Sequence, residues 1–516
     1  MNFRNRIFLL IALATLLRML LAYSIGLGND EVYYRMYAQS MQWNYFDHPP
    51  MVGWLIRLST FNLQIDEVFF IRLGAIVCSA VATWLIYVCG KHLKDEQTGF
   101  LAALIYNFTI YGSIIAGTFI LPDSPQMVCW LACLYSLLRF NKTDQINACN
   151  KRNLLYFGFF AGLGMLCKIH TAFLWFGLFG YLLFYARNWF KQPALYISGC
   201  ITLLFFWPVI QWNIDHHFIT YTFHSKRVDV ASGGFSLLSF SRFMLGQLIY
   251  TSPILFPAFI KASYKAIQSK LDIQPAQTKL LLWCSLPLII LATLVSLFKE
   301  VLPHWTGPAY SGIILLTAVY FSQKYSHLTL QIPKVILGAA TLLITIIFAG
   351  IGVINNYPGT LGEKNEGTLG KGDFTLDMYG WEQLRTQFSE ISIADAKTTF
   401  KAAHIISNNW FPAAHLDYYV AMPLHLDLIA LGPIDKIHQY EWLNTHRKPL
   451  KIGENAYSIV LSDQNSDPKI TYGALFEQIY LSHTITISRN NKACRKAYVY
   501  RLIHFKGNPY SAEVIR

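Results

Sequence analysis

Residues able to take part in acid–base chemistry cluster just after the first apolar segment of the chain. One stretch reads Gly28-Asn29-Asp30-Glu31-Val32-Tyr33-Tyr34-Arg35, and a second reads Tyr45-Phe46-Asp47-His48-Pro49-Pro50. A carboxylate in such a stretch can act as a general base towards a hydroxyl group. An imidazole or ammonium group nearby can stabilise an anion. We take these stretches as the candidate site and interpret the remaining chain as a scaffold that holds them at a membrane surface.

The spacing of the first stretch separates the roles of its two carboxylates. Adjacent residues on a helix point about 100° apart, so Asp30 and Glu31 cannot both face one substrate. Glu31 is followed four residues later by Arg35, in the favourable acid-first order for an ion pair. Asp30 has Tyr34 at the same offset, and we therefore predict that Asp30 is the reactive carboxylate. By spacing alone, Asp30 could equally be the N-cap of a helix.

Four further ionisable residues stand near the ends of apolar segments: Asp123, Lys168, His48 and His304. Asp123 lies between two prolines and could be a second carboxylate, a metal ligand or a helix N-cap. Lys168 could be a membrane anchor whose charged end reaches water or a contact for a phosphate. His48 and His304 each precede an apolar or proline-rich segment, where an isolated histidine is more often structural.

The composition indicates a polytopic α-helical membrane protein. Of the 516 residues, 54% are hydrophobic and only 14% are charged, which is too apolar for an ordinary soluble protein. The apolar runs are long enough to cross a hydrocarbon core of about 30 Å. We predict about eleven transmembrane helices, at 7–27, 68–90, 99–116, 118–138, 153–167, 170–186, 194–212, 243–260, 280–298, 304–321 and 335–354.

The net charge of +13 is explained by topology. Alternate connections between the predicted helices carry 16 Lys and Arg residues, whereas the opposite set carries seven. By the positive-inside rule, the N-terminus is cytoplasmic and both the Asp30 loop and the C-terminal region are outside. The basic composition therefore predicts no nucleic-acid partner.

Two domains are expected. Residues 1–355 form the membrane domain, with an outer loop at 28–67 that contains an amphipathic helix within 31–42, lying in the membrane interface. From about 356 the composition becomes that of a soluble α/β domain, 356–516. A helix there buries Trp381, Leu384, Phe388 and Ile391. Strands are predicted at 403–407, 427–431, 456–461, 482–488 and 497–504.

The motifs together resemble a known family. In chain order they are Asp30-Glu31-x-Tyr33-Tyr34, Tyr45-Phe46-Asp47-His48-Pro49-Pro50, Pro122-Asp123-Ser124-Pro125, Gly162-Leu163-Gly164-Met165-Leu166-Cys167-Lys168, Trp212-Asn213, His304-Trp305-x-x-Pro308-Ala309-Tyr310 and Tyr379-Gly380-Trp381. The series resembles the dolichyl-phosphate-mannose-protein mannosyltransferase superfamily, of glycosyltransferase family 39 type with the GT-C fold. Its bacterial members include the lipid A aminoarabinose transferases, which also end in an outer α/β domain.

The resemblance implies residue roles. Asp30 corresponds to the catalytic carboxylate and Asp123 to a second acidic residue. Asp47 and His48 stand where the aminoarabinose transferases have a metal-holding Glu and a phosphate-binding Lys, which makes Asp47 a candidate ligand for Mg²⁺, Mn²⁺ or Zn²⁺. The substrate-binding residues implied are Glu31, Tyr34, His48, Lys168 and His304.

The predicted function is that of an inverting, polyprenyl-phosphate-sugar-dependent glycosyltransferase of the bacterial inner membrane, with its active site in the periplasm. The lipid-linked sugar would be a pentose or hexose on undecaprenyl phosphate, and the acceptor lipid A, another glycan or a protein. A transporter or flippase of a lipid-linked glycan is the alternative. It is disfavoured because, of the Lys, Arg, Asp and Glu residues, only Arg18 and Arg72 lie clearly inside predicted spans. A pseudoenzyme that scaffolds envelope assembly is a third hypothesis.

Overall fold

The computed structural model describes residues 2–140, 146–230, 234–325, 332–464 and 466–507. Within it the chain forms two compact units. The first comprises Met1–Tyr23 and Met41–Ile347, and the second comprises Ser24–Ser40 and Phe348–Arg516. This division differs from the expected 1–355 and 356–516 because residues 24–40 pack with the C-terminal part of the chain.

The first unit is built from helices. They are α1 (Phe3–Ser24), which extends one residue into the second unit, α3 (Met51–Ser59), α4 (Val68–Leu93), α5 (Glu96–Asn107), α6 (Asp123–Phe140), α7 (Ala148–Cys167), α8 (Ala172–Tyr185), α9 (Pro193–Asp215), α10 (Ile219–Val228), α11 (Leu237–Tyr250), α12 (Phe256–Ile267), α13 (Pro275–Val295), α14 (Tyr310–Lys324) and the first part of α15 (Lys334–Asn356). Short π- or 3₁₀-helical turns occur at Tyr111–Ile115, Ile169–Thr171, Arg187–Lys191 and Pro303–Ala309.

Five of the described helices are long and apolar enough to cross a membrane: α1, α4, α9, α13 and α15. A shorter apolar helical segment covers Ile169–Tyr185. The chain is thus a multi-pass membrane protein, whereas the count of about eleven transmembrane helices stays a prediction. The orientation also stays a prediction, and Lys142, one of the basic residues used for it, lies outside the described residues.

The centre of the first unit is a continuous apolar core. Trp130 of α6, Ile105 of α5 and Leu315 of α14 are all fully buried in it. Both arginines predicted inside spans are buried in protein. Arg18 donates a hydrogen bond from Nη2 to Asn107 Oδ1 (2.8 Å), and Arg72 donates from Nη1 to the carbonyl of Ala22 (3.2 Å). These contacts join α1 to α5 and α4 to α1.

The second unit contains a five-stranded mixed sheet, in the order β2-β1-β3-β5-β4. Its strands are β1 (Ala402–Ser407), β2 (Asp427–Ala430), β3 (Asn455–Leu461), β4 (Phe476–Arg489) and β5 (Lys492–Phe505). Strand β1 is parallel to β2 and β3, and β5 is antiparallel to β3 and β4. The β4–β5 hairpin turns at Asn490 and Asn491, whose positive φ values of 47° and 59° suit asparagine. All five strands were predicted, although β4 and β5 are longer than expected.

The helices of the second unit are α2 (Asn29–Tyr37), the end of α15, α16 (Trp381–Ala396), α17 (Trp410–His415), α18 (Ile434–Ile437), α19 (Tyr440–Leu443) and α20 (Pro468–Tyr472). Short π- or 3₁₀-helical turns lie at Glu366–Thr368, Phe374–Met378, Leu416–Ala421, Met422–Leu424 and Asn444–His446. Helix α16 buries Trp381, Leu384 and Phe388 as its spacing predicted, whereas Ile391, predicted to be buried with them, is only partly buried.

Helix α2 corrects one expectation. Its existence was predicted, but it was expected to lie in the membrane interface. Every residue from Glu31 to Tyr37 is instead buried. The ring of Tyr33 packs 4.9 Å from that of Trp410, and its hydroxyl accepts a hydrogen bond from the Gln439 amide. The aromatic stripe of α2 is thus an internal contact of the second unit.

Candidate active site

A buried ion pair joins two of the predicted site residues in the first unit. Asp123 is the first residue of α6, and Lys168 directly follows the last residue of α7. Lys168 Nζ lies 2.8 Å from Asp123 Oδ2, and the two side chains are 4% and 1% exposed. The Tyr111 hydroxyl donates a hydrogen bond to the other oxygen, Oδ1, at 3.0 Å. Both carboxylate oxygens are therefore engaged.

These contacts decide between the alternatives left open for the two residues. Within the described chain no backbone amide donates to the Asp123 carboxylate, so an N-cap role is wrong. A membrane anchor would keep its charged end in water, whereas the ammonium group of Lys168 is buried against Asp123. The anchor interpretation of Lys168 is therefore wrong as well.

A close approach at Gly307 holds Tyr111 in place. Gly307 lies in the 3₁₀-helical turn Pro303–Ala309. A Cβ atom on Gly307 would lie only 2.1 Å from Cε2 of Tyr111. The absence of a side chain at Gly307 leaves the space that the tyrosine ring occupies, and from there its hydroxyl reaches Asp123.

Lys168 borders a cavity of about 370 Å³ within the first unit. Its walls are chiefly apolar and include Phe206, Val209 and Trp305. Three imidazoles line it as well, namely His48, His170 and His224. Such a space suits a ligand that is mostly apolar and carries one polar or anionic group.

The environment of His48 favours its neutral form. Burial lowers the pKa of His48 well below its usual 6.5, and the neighbouring His224, Lys168, His170 and His304 lower this pKa further. The rings of His48 and His224 are 6.0 Å apart. The site in which His48 lies is thus electropositive, and an anion bound there would make protonation of His48 easier.

His224 and His304 also have defined neighbours. His224 Nε2 lies 2.7 Å from the carbonyl oxygen of Asp47, which connects α10 to the 45–50 segment. Burial lowers the pKa of His224 too. The His304 ring stacks 6.5 Å from that of Tyr250. The structure therefore brings Asp123, Lys168, His48 and His304 into one region of the first unit.

The predicted metal role of Asp47 does not fit the arrangement of side chains. Asp47 lines the cavity. In the described part of the chain, however, no group of three or more His, Cys, Asp or Glu side chains is arranged to hold a metal ion. We therefore derive no step through a metal at this position.

Asp30, Glu31 and Tyr34 lie in the second unit. Gly28 is the N-cap of α2, so Asp30 is the second helical residue and the N-cap alternative for it is wrong. Glu31 Oε2 accepts the Gly28 amide at 2.9 Å and thus caps the helix. Tyr34 is 5% exposed, with its ring 5.4 Å from that of Tyr37. Glu31 and Tyr34, predicted to contact substrate, have structural partners here, whereas Asp30 is exposed.

Several residues of the site were not predicted. Tyr111 and Gly307 carry no local motif that links them to Asp123. His170 and His224 were not among the predicted site residues. Asp377 precedes the Tyr379-Gly380-Trp381 match by two residues, yet its proximity to Asp30 is apparent only in the folded second unit, where burial, and to a smaller extent the charge of Asp30, raises the pKa of Asp377.

Comparisons with known proteins agree with the motif series. Residues 47–212 match the family model described as dolichyl-phosphate-mannose-protein mannosyltransferase. This range contains Asp47, His48, Asp123 and Lys168. Over 316 residues the chain is 25% identical to the lipid A galacturonosyltransferase RgtD of Rhizobium johnstonii, covering 61% of this chain. The chain spans 64% of the length of that curated relative.

Solved structures establish the fold. The structure of ArnT from Cupriavidus metallidurans bound to undecaprenyl phosphate superposes with a TM-score of 0.61 at 13% identity, covering 96% of this chain and 98% of that chain. The apo structure of the same protein gives a TM-score of 0.64 at 12% identity, with the same coverage. The predicted GT-C fold with a C-terminal α/β domain is confirmed. The resemblance to the mannosyltransferase superfamily and to lipid A modifying enzymes is confirmed too.

Proposed function

We propose that this protein is an inverting glycosyltransferase that moves one pentose or hexose from undecaprenyl phosphate to an acceptor in the periplasmic envelope, such as lipid A. The observation that carries the proposal is the buried Lys168–Asp123 pair beside a largely apolar cavity of about 370 Å³. An isoprenoid phosphate has the matching chemistry, an apolar chain that ends in one anion. The likeness to ArnT and RgtD supports the same substrate class.

In this proposal the Lys168 ammonium group stabilises the leaving group. When the acceptor oxygen attacks the anomeric carbon, the bond from that carbon to the phosphate oxygen breaks and the phosphate keeps the electron pair. Phosphate is already a good leaving group, so it needs cationic stabilisation rather than a proton. Lys168 has three N–H donors, of which Asp123 takes one, and the imidazole of His48 can donate a further hydrogen bond.

Asp123 has a supporting role in this scheme. Removing a lone ammonium group from water is costly, and a carboxylate partner offsets that cost. The Asp123 carboxylate, 2.8 Å from Lys168 Nζ, is this partner and fixes the direction of the Lys168 side chain. Tyr111 in turn fixes the carboxylate. We therefore assign Asp123 to the positioning of Lys168 rather than to proton transfer.

Asp30 is the proposed general base. It is an exposed carboxylate in the first turn of α2. In that role it accepts the proton of the acceptor hydroxyl as the new glycosidic bond forms. A general base of this kind contributes about 10²–10⁴-fold to the rate.

The test uses purified protein in liposomes with a panel of undecaprenyl-phosphate pentoses and hexoses and a lipid A acceptor. Release of undecaprenyl phosphate is measured for the unaltered protein, Asp30→Asn and the matched control Glu67→Gln, an exposed carboxylate next to α4. We expect Asp30→Asn to lower the rate of release about 10²–10⁴-fold and Glu67→Gln to have no effect. Full activity of Asp30→Asn would show that Asp30 is not the general base.

A second measurement addresses the sugar, the acceptor and the alternative function. Mass spectrometry of envelope glycolipids and glycoproteins, with and without the protein, should show the loss of one sugar. A protein that moves the labelled donor across the bilayer but releases no undecaprenyl phosphate would instead be a flippase.

A further inference from the structure

Residues 26–28, which lead into α2, each approach other residues of the second unit closely. A Cβ atom on Gly26 would lie 2.6 Å from the carbonyl oxygen of Met378, so the two backbones touch. The Leu27 amide donates to the Tyr419 hydroxyl at 2.9 Å. A Cβ atom on Gly28 would meet Cε of Met378 at 3.2 Å. Residues 26–28 are thus fixed immediately before the turn that carries Asp30.

Asn29, directly before Asp30, bridges two side chains of the same unit. Its Oδ1 lies 3.0 Å from Nε2 of His415, and its side chain also hydrogen-bonds the carboxylate of Asp377. A carboxylate only accepts, so the amide nitrogen of Asn29 donates to Asp377. The amide oxygen then accepts from N–H at Nε2 of His415. Both the amide oxygen and the amide nitrogen of Asn29 are therefore hydrogen-bonded.

The two partners of Asn29 are themselves restrained. The His415 ring is nearly parallel to two aromatic rings: its centroid lies 4.2 Å from that of Trp381, at 9°, and 5.8 Å from that of Tyr419, at 10°. His415 is completely buried. Asp377 lies near the end of the Phe374–Met378 turn, next to the Met378 backbone that touches Gly26. The bridge therefore joins α2 to rigid parts of the second unit.

We propose that Asn29 and Asp377 are positioning residues whose bridge sets the direction of the first turn of α2, and with it the Asp30 carboxylate. This inference rests on the proposed function, in which Asp30 is the base. A displacement of about 1 Å in a catalytic group can cost about 10²-fold in rate. One amide bridge would thereby set how well Asp30 is placed to accept a proton.

Because the Asp377 carboxylate can be protonated, the bridge can be tested by varying the pH. Burial raises the pKa of the Asp377 carboxyl to about 6, and the charges of Asp463 and Asp30 add to this rise. Arg495 and the hydrogen bond from Asn29 act in the opposite direction. At neutral pH Asp377 is ionised and accepts the Asn29 amide.

The experiment exchanges the donor and acceptor of the bridge. Asn29→Asp places a second carboxylate against Asp377, and we expect kcat for undecaprenyl phosphate release at pH 7.5 to fall about 10²-fold with the donor KM unchanged. In the double variant Asn29→Asp/Asp377→Asn, the carboxylate introduced at position 29 accepts from both His415 and the amide introduced at position 377, and we expect most of the loss to be restored. The Asn29→Asp variant should also recover below about pH 6, where two adjacent carboxylates share a proton.

The matched control is Asp395→Asn. Asp395 pairs with Arg501 and Tyr457 near the C-terminal end of α16, about 21 Å along the helix from Trp381. The Asp395→Asn variant should have a lower melting temperature than the unaltered protein and an unchanged kcat. If Asn29→Asp does not fold, Asn29→Ala removes both hydrogen bonds without adding charge and should lower kcat in the same way.

Three results bear on the inference and the proposed function, and they distinguish the failure of one from the failure of the other. If Asp30→Asn is inactive while Asn29→Asp keeps its full kcat, the positioning inference is overturned and the proposed base stands. A double variant as slow as Asn29→Asp, at an unchanged melting temperature, overturns it as well. If Asp30→Asn is fully active, the assignment of the base fails and the inference fails with it.

Discussion

The ammonium group of Lys168 and the carboxylate of Asp123, 45 positions apart in the chain, lie 2.8 Å from each other with both side chains almost completely buried. Removing either charge from water alone is costly, and the cost is offset only while the partner is present. The pair therefore links α6 to the end of α7 and delivers one cation to the edge of the cavity.

Replacing Lys168 with Met should destabilise the protein strongly, because Asp123 is then left as a buried unpaired charge. We expect a loss of about 3–5 kcal/mol in stability, together with loss of transfer. Thermal unfolding in detergent measures the first effect and undecaprenyl phosphate release the second. Lys191→Met, at an exposed lysine, is the matched control.

The double variant Lys168→Met/Asp123→Leu separates the two roles of the pair. With no charge left buried, most of the stability should return, while transfer should stay absent because the phosphate has lost its cation. A double variant that regains activity would show that Lys168 serves folding alone.

Gly307→Ala should disturb the site through Tyr111. The new methyl group would lie 2.1 Å from the tyrosine ring, which must then move away from Asp123. We expect a loss of about 1–3 kcal/mol from overpacking, and about 1 kcal/mol for Tyr111→Phe, which removes only the hydrogen bond. In unfolding measurements the double variant should lose less than the sum of the two single variants, whereas strict additivity would argue against coupling.

Acid should destabilise the protein partly through His48. The folded state lowers the pKa of His48 below the 6.5 of the unfolded chain. The unfolded state therefore binds more protons as the pH falls below about 6.5, and stability falls with it. Melting temperatures between pH 5 and 8 should fall less steeply towards acid for His48→Gln than for the unaltered protein. His483→Gln, at an exposed histidine, should keep the original slope.

Asp377 should have the opposite pH dependence. Its pKa is raised from 3.8 to about 6, so the folded state binds the proton more tightly, and the stability gained from it is lost as the pH rises through 6. Asp377→Asn cannot ionise and should melt at a higher temperature than the unaltered protein at pH 8, with the difference shrinking towards pH 4.5. Asp467→Asn, at a carboxylate that caps α20, should show a difference that does not vary with pH in this way.

Local pattern was sufficient to predict much of the fold. The spacing of Trp381, Leu384 and Phe388 predicted α16, and the β-branched and aromatic runs predicted all five strands. Helices and strands of this kind depend on residues that are close together in the sequence. The spacing of apolar residues therefore indicates them directly. The lengths of β4 and β5 were underestimated because much of β4 is exposed and does not show a clean apolar alternation.

The site was predictable residue by residue but not as a set of contacts. Asp123, Lys168 and His48 were each identified, yet nothing in the sequence showed that the first two pair with each other. Tyr111 reaches Asp123 only because Gly307, almost 200 positions later, has no side chain. Contacts of this kind depend on tertiary packing rather than on local spacing.

The residues that surround α2 could not be predicted from local spacing either. Its tyrosines and Met36 gave the pattern of an interfacial helix, because a stripe buried in protein and one buried in lipid have the same period. The contact that distinguishes them, Asn29 with His415, spans 386 positions. Only the folded second unit reveals it.

The second unit is built from two segments that are far apart in the chain, and this has a consequence for biosynthesis. Residues 24–40 leave the ribosome roughly 300 residues before residue 348 and the sheet that follows it. At about 5–20 residues per second, this helix waits roughly 15–60 s for its binding surface. During that interval its tyrosines need temporary cover, from lipid or from a chaperone. Chains that terminate before the sheet should therefore present α2 to proteases, whatever the state of the membrane helices.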